Sequence, residues 1–308
     1  MSKPSLNAAT ARNKPETPPH MTHPSAPPPR LRLTEAQDPA FKRLRLRTFG
    51  LWLAAAALTA AAVSFDAAAP VAVLSVGGLI LLTMLDLHHQ RQIENFLHYR
   101  QIAALLNIRD MIEPRAPLPP MRLWAASPDF ALLVATTISQ HRPQQVLELG
   151  SGTSTLIAAY ILESLDHGAI ISLDHDARFA EKTRQLLRQH HLADRAQVVN
   201  APLTPLDNLN DQPWYTTDAL AALPPIDLLI VDGPPDMITS QARYPALPLL
   251  FDYLADGALI LVDDYMRRDE HAMVLRWLDT FPVEVVDTFP IEKGAALLRK
   301  CGASRPDR

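Results

Sequence analysis

The stretch Gln145-Val146-Leu147-Glu148-Leu149-Gly150-Ser151-Gly152-Thr153-Ser154-Thr155-Leu156 decides how this chain of 308 residues is read. Val146, Leu147 and Leu149 form a short buried strand, with Glu148 near its carboxyl end. Gly150 and Gly152 then make a tight turn. Thr153, Ser154 and Thr155 suit the start of a helix that continues through the apolar residues 156–162. Together a strand, a glycine turn and a helix start make a nucleotide-binding crevice. The glycines let a ligand approach the backbone, and the new helix points free N–H groups at it.

On both sides of this stretch the chain alternates between helical and extended patterns. Ser127-Pro128-Asp129 starts a helix over 130–140, with proline in its first turn. After the helix that follows the glycine turn come a strand at 169–174, a helix capped by Asp176, and a strand at 197–200. A proline-rich irregular stretch holds Trp214 and Tyr215, which either cover a substrate site or pack their own loop. Strand 226–231 ends in Asp232-Gly233-Pro234-Pro235, and a helix over 247–254 leads to strand 258–262, which ends in Asp263-Asp264. A helix over 270–280 and strands at 283–287 and 295–299 complete the pattern. Such alternation predicts an α/β fold with a parallel sheet covered on both faces, the final strand pair forming an antiparallel hairpin at the edge.

Open α/β sheets bind ligands at the carboxyl ends of their strands. Three features fall there. The first is the turn from Glu148 to Gly152. The second is Asp174, a little over twenty residues past Gly152, where an acid takes both hydroxyls of a ribose. The third is the acidic set Asp232, Asp263 and Asp264.

Taken in order, Leu147-Glu148-Leu149-Gly150-Ser151-Gly152-Thr153-Ser154, Ile171-Ser172-Leu173-Asp174-His175-Asp176, Ile226-Asp227-Leu228-Leu229-Ile230-Val231-Asp232-Gly233-Pro234-Pro235 and Gly257-Ala258-Leu259-Ile260-Leu261-Val262-Asp263-Asp264-Tyr265 resemble a class I S-adenosylmethionine-dependent methyltransferase. They are most similar to the branch of the catechol and caffeoyl-CoA O-methyltransferases. The resemblance covers roughly residues 115–300. It implies a Rossmann-like, seven-stranded, mostly parallel sheet with an antiparallel last strand. It also implies that Glu148, Gly150 and Gly152, with Ser151 and Thr153 between and beside them, hold the methionine end of the cofactor. By the same resemblance Asp174 binds the ribose with His175 beside it, and Asn200 and Ala201 lie against the adenine. Asp232 sits below the sulfonium and faces the acceptor. In the metal-dependent members Asp232, Asp263 and Asp264 correspond to ligands of a divalent cation. Three carboxylates suit Mg²⁺, which would lower the pKa of an acceptor hydroxyl and orient it.

Two positions depart from the family. Ser154 stands where many members carry a third glycine. Pro235 stands three residues past Asp232, where the catechol-type enzymes place a lysine base, so no base is carried over. Arg243, Tyr244, Tyr265 and His271 are nearby candidates for acceptor contacts. A nicotinamide-dependent oxidoreductase and a non-catalytic scaffold with this fold are the alternative readings.

The N-terminal part lies outside the family pattern. Residues 1–41 are rich in proline, sparse in apolar residues and read as a disordered arm. Lys42, Arg43, Arg45 and Arg47 then precede two apolar runs, 49–65 and 67–87, each within the about 17–25 residues that a membrane span needs. With a turn at Asp66 they predict a two-span hairpin over 42–88; a buried soluble hairpin, one span with a re-entrant segment and a cleaved signal peptide are the alternative readings. The hairpin's basic flanks, continued by Arg91 and Arg100, face the cytoplasm, as does the catalytic domain. The partner there is the lipid bilayer, and the acceptor is a small or lipid-linked molecule. Residues 89–114 predict an amphipathic linker helix with Ile93, Phe96, Leu97, Ile102, Leu105 and Leu106 on its apolar face. Prolines 114, 117, 119 and 120 end it and mark the start of a domain over 115–308.

Net charge is −4, which gives no electrostatic footprint for nucleic acid. The single cysteine, Cys301, excludes an intrachain disulfide and any cysteine-rich zinc site. His88-His89 and His190-His191 lack carboxylate or cysteine partners at ligand spacing and read as surface or interfacial residues.

Overall fold

The computed structural model describes residues 68–122, 125–206, 209, 211–216 and 224–302, and before them Gly50, Leu53, Ala54, Ala56, Ala57 and Ala60. The proline-rich arm and most of the first apolar run lie outside the described residues.

From Ala68 the described chain forms one long helix, α1 (Ala68–Met111). It joins the second apolar run to the expected linker, and the predicted boundary at 88/89 falls within it. Residues 86–92 contain neither proline nor glycine, so nothing breaks the helical hydrogen bonds there. Among the described residues this is the one helix long and apolar enough to cross a membrane by length and composition, so a two-helix hairpin is not shown. Its packed face also differs from the expected one. Gln101, Ala104 and Ile108 are buried, with Ile112 just beyond the helix end. Phe96, Ile102, Leu105 and Leu106 stay exposed. The small Ala104 permits close approach, and the polar Gln101 is buried because Asp129 accepts from its Nε2 at 2.8 Å.

After α1 come α2 (Pro128–His141), β1 (Gln145–Leu149), α3 (Thr153–Ser164), β2 (Ala169–Asp174), α4 (Ala177–Gln189) and β3 (Ala196–Asn200). Two short strands, β4 (Leu203–Leu206) and β5 (Gln212–Tyr215), precede β6 (Ile226–Val231), α5 (Ala246–Leu250), β7 (Leu254–Asp263), α6 (Arg268–Thr280), β8 (Val283–Phe289) and β9 (Ala295–Lys300). The seven-stranded sheet has the order β3-β2-β1-β6-β7-β9-β8. Pairings β1–β2, β2–β3, β1–β6 and β6–β7 are parallel, while β9 runs antiparallel to both β7 and β8. This is a Rossmann-like arrangement with the last strand reversed. The strand order turns around between β1 and β6, which opens a crevice at their carboxyl ends.

Both faces of the sheet are covered. Val146, Ile170, Leu228, Ile230 and Leu261 pack against α2, α3, α4 and the last residues of α1. Leu147, Leu149, Leu229, Val231 and Val262 face α5, α6 and the β4–β5 ribbon, around Trp277 and Trp214. Strands buried on both sides need no alternation of polar residues, which accounts for the continuous apolar runs in β6 and β7.

The stretch expected to be irregular is a two-stranded antiparallel ribbon in which Pro205 lies opposite Pro213. Proline has no N–H for a ladder, so a pair of prolines conceals a strand signal while leaving a short ribbon feasible.

Candidate active site

The glycine turn is built by steric exclusion. Gly150 has φ of 99°, a left-handed conformation, and a Cβ there would lie 3.3 Å from the backbone carbonyl carbon and oxygen of Asp232. Only glycine fits both conditions. The turn is tied to both neighbouring strands: Gly150 N donates to Leu173 O at 2.8 Å, and Asp232 N donates to Leu149 O at 3.0 Å. The ends of β1, β2 and β6 are thereby held together.

Glu148 lies beneath this turn. The two-residue period of β1 puts it on the α3 face with Val146, where it is fully buried. Its Oε2 accepts from Thr155 Oγ1 and from Ser172 Oγ, each at 2.5 Å. Thr155 Oγ1 in turn accepts from Gly152 N at 2.9 Å. Burial pushes the Glu148 carboxyl up to about 7, against the pull of the hydroxyls of Ser154, Ser172 and Thr155. Glu148 therefore braces the turn from below and does not line the cavity above it.

That cavity, about 340 Å³, is lined by Ala125, Ala126, Gly150, Ser151, Gly152, Thr153, Ser154, Asp174, His175, Phe179, Tyr215, Asp232, Gly233, Pro235 and Met237. Of the residues proposed from the sequence, it brings together Gly150, Ser151, Gly152, Thr153, Asp174, His175 and Asp232. Asn200 and Ala201 are not in its wall. Asn200 is exposed, and Ala201 is buried with its N–H donating to Asp174 O at 2.8 Å. Asp174 is set by three donors: Ser151 Oγ at 2.6 Å and Ser151 N at 3.3 Å on Oδ2, and Asp176 N at 3.0 Å on Oδ1.

Tyr215 is the wall residue whose role the sequence left open. Its ring is fully buried, stacked edge-on against Trp214, with ring centroids 5.1 Å apart. Its hydroxyl has no hydrogen-bond partner. A Cβ at position 233 would collide with that hydroxyl, so Gly233 makes room for it. Burial holds the phenol well above its ordinary range, with the Asp174 charge adding to the effect. A buried hydroxyl without a partner is costly unless a ligand completes it. Phe179, Met237, Ala125 and Ala126 supply apolar wall, and nothing in their local sequence marks them for that role.

At the far side Asp232, Asp263 and Asp264 bring one carboxylate oxygen each to within 4.8 Å of one another, as the sequence expected. Asp264 adopts φ of 61°, a left-handed conformation that aspartate tolerates. The cluster already contains a cation. The Arg243 guanidinium, with 4% of its side chain exposed, lies 2.7 Å from Asp264 Oδ2 and 3.4 Å from Asp232 Oδ1. It also donates to the carbonyls of Asp263 at 3.1 Å and Pro234 at 3.4 Å. Arg267 Nη1 lies 3.1 Å from Asp264 Oδ2, and Lys293 Nζ lies 3.8 Å from Asp264 Oδ1. The residues as folded therefore do not fit a divalent ion coordinated by all three acids. Burial pushes the Asp232 carboxyl up to about 6 even though Arg243 pulls it down. Burial also raises Asp263, with the charges of Asp232 and Asp264 adding to it.

Arg243, Tyr244, Tyr265 and His271 are absent from the cavity wall. Arg243 is held among the acids, Tyr244 lies under the Arg276 guanidinium at 3.6 Å, and the Tyr265 and His271 rings lie against each other at 5.1 Å.

A family model described as a methyltransferase domain matches residues 147–265, from within β1 to just past β7. That span takes in the glycine turn, Asp174, Asp232 and Asp263-Asp264. No curated protein matches the chain. Among solved structures, the chain is similar to the methyltransferase PaMTH1 of Podospora anserina in its SAH-bound form, at 13% identity over 69% of this chain and 95% of that one, with a TM-score of 0.49. It is also similar to an O-methyltransferase from Bacillus cereus in complex with SAH, at 17% identity over 64% and 90% with a TM-score of 0.45. A methyltransferase from Geobacter sulfurreducens gives 18% identity over 69% and 96% with a TM-score of 0.46.

Proposed function

We propose that the chain is an S-adenosylmethionine-dependent methyltransferase that moves a methyl group onto an oxygen or nitrogen nucleophile. The observation that carries this reading is the cavity at the ends of β1, β2 and β6. There the Gly150 turn, the Asp174 carboxylate and Asp232 meet in one wall, within the span matched by the methyltransferase family. When bound, the cofactor supplies an electrophilic methyl on a sulfonium. The chain supplies placement. The turn from Gly150 to Thr153 gives backbone room and N–H groups at the start of α3, suited to a carboxylate. Asp174, pre-set by Ser151 and Asp176, offers its oxygens to a ribose diol. Asp232 places negative charge beside the cavity, where it would offset the sulfonium and take up the proton that the nucleophile loses. Tyr215 forms part of the wall beside them. Catalysis by positioning of this kind needs no strong base, which suits Pro235 at the position of the family's lysine.

The reading includes an anchor. Val73, Leu74, Ile80, Leu81, Met84 and Leu85 are exposed on the apolar half of α1, and a lipid phase is the environment that this surface suits. A lipid-linked or membrane-proximal acceptor would suit such an anchor, which would equally serve to localise the enzyme.

Calorimetry on the full chain tests the cofactor. S-adenosylmethionine or its demethylated product is expected to bind with one-to-one stoichiometry, and Asp174→Ala is expected to weaken it at least about tenfold through loss of a charge-assisted pair. Binding of NADH without S-adenosylmethionine would replace this reading with the oxidoreductase one. Cofactor binding without transfer of a labelled methyl to any component of a cell extract would favour the non-catalytic scaffold.

A further inference from the structure

Three carboxylates gathered at the ends of two neighbouring strands need a counter-charge, and this fold supplies one from its own chain. Arg243 reaches in from the segment before α5 and touches two of the three carboxylates. It touches Asp232 and the Pro234 carbonyl after β6, and the Asp263 carbonyl and Asp264 carboxylate at the end of β7. Glu270 Oε1 on α6 lies 3.9 Å from its Nε. A planar guanidinium with five donors can serve several acceptors at once, and a burial this complete is tolerated only where such partners surround it. Asp232 is the member of the cluster that reaches the cavity, with 20% of its side chain exposed.

We infer that Arg243 is the resident cation of the Asp232–Asp263–Asp264 cluster, standing where a divalent metal would otherwise sit, and that it is the positioning residue that presents Asp232 to the cavity. Two consequences follow. Ion binding at this cluster requires that the guanidinium leave. And the acceptor need not carry a pair of adjacent oxygens to chelate a metal, so a single nucleophilic atom suffices. The second consequence rests on the methyltransferase reading; the first does not.

The state of the cluster is read with Mn²⁺ by electron paramagnetic resonance on the full-length protein. Wild type is expected to show no stoichiometric Mn²⁺. Arg243→Ala leaves the three carboxylates with Arg267 and Lys293 as their nearest cations. It is expected to gain one Mn²⁺ and a melting temperature that rises when the ion is added. Should that variant fail to fold, wild type alone decides: a stoichiometric Mn²⁺ signal that Asp263→Asn abolishes would overturn the inference, and no signal supports it. Activity gives an independent arm. Methyl transfer by wild type is expected to survive EDTA, whereas loss on EDTA and recovery with Mg²⁺ would overturn the assignment. Arg243→Lys keeps the charge but not the fork, and is expected to lower kcat by about 10–100-fold while cofactor affinity stays within about twofold. Equal losses in kcat and cofactor affinity would reduce Arg243 to a structural role. If wild type transfers no methyl with or without metal, the methyltransferase reading fails, and the Mn²⁺ result still decides the identity of the cation.

Discussion

Glu148 and Gly150 are neighbours but one in sequence, and they do opposite kinds of work. Gly150→Ala must place a methyl group 3.3 Å from the Asp232 backbone at φ of 99°. The left-handed conformation alone costs about 1–2 kcal/mol, and the contact forces β1 and β6 apart at the cavity. Urea unfolding is expected to record at least that loss, and calorimetry a cofactor affinity reduced beyond detection. Glu148 makes stability depend on pH. Burial raises its pKa from 4.5 to about 7, so the folded state holds the proton more tightly than the unfolded state does. The stability this contributes is fully present below about pH 4.5 and lost as pH rises through about 7, a difference of roughly 3 kcal/mol. Glu148→Gln should remove that part of the slope. Urea midpoints measured from pH 5 to 8 are expected to fall more steeply in wild type than in the variant, and parallel curves would refute the assignment. The glycine turn and Asp174 were legible in the sequence because glycine spacing and strand ends fix backbone geometry. The role of Glu148 was not. Its position in the motif suggested ligand contact, whereas the strand period turns it away from the cavity, toward Thr155 and Ser172.

Among the elements, those with a clean local signal were found to within a few residues. β2 ends in Asp174, the apolar run that completes β6 is followed directly by Asp232, and Asp176 caps α4 by accepting from Arg178 N at 2.8 Å. The β4–β5 ribbon was hidden by Pro205 and Pro213, and the continuity of α1 by a change from apolar to polar residues that looked like a boundary. Polarity changes the environment of a helix without interrupting its hydrogen bonds. The docking of α1 could not be read from hydrophobic spacing either, because its central contact is polar. Asp129 accepts from Gln101 Nε2 at 2.8 Å, from Ser127 Oγ at 2.6 Å and from Glu292 N at 2.8 Å, joining α1, the start of α2 and the β8–β9 turn. Asp129→Ala would leave two buried donors and one half-buried donor unserved. It is expected to cost about 2–3 kcal/mol in urea unfolding and to speed amide exchange in residues 101–111.

At the scale of the whole molecule, an exposed apolar half-helix and a packed α/β domain share one continuous rod. On the proposed anchoring, the protein is expected to sediment with membranes and to stay there in alkaline carbonate; release into the supernatant would refute it. A rod clamped at one end converts sideways displacement into torque at the clamp. Here the clamp is Asp129, and three residues before it Ala126 forms part of the cavity wall. From Leu87 to Gln101 the helix advances about 21 Å, at 1.5 Å per residue, which is the length of the lever. Bilayer thickness or curvature acting on the apolar half would therefore be felt as strain at the mouth of the cofactor cavity. Cofactor affinity is expected to differ between thin and thick bilayers in wild type, and to become indifferent to thickness once Asp129→Ala loosens the clamp.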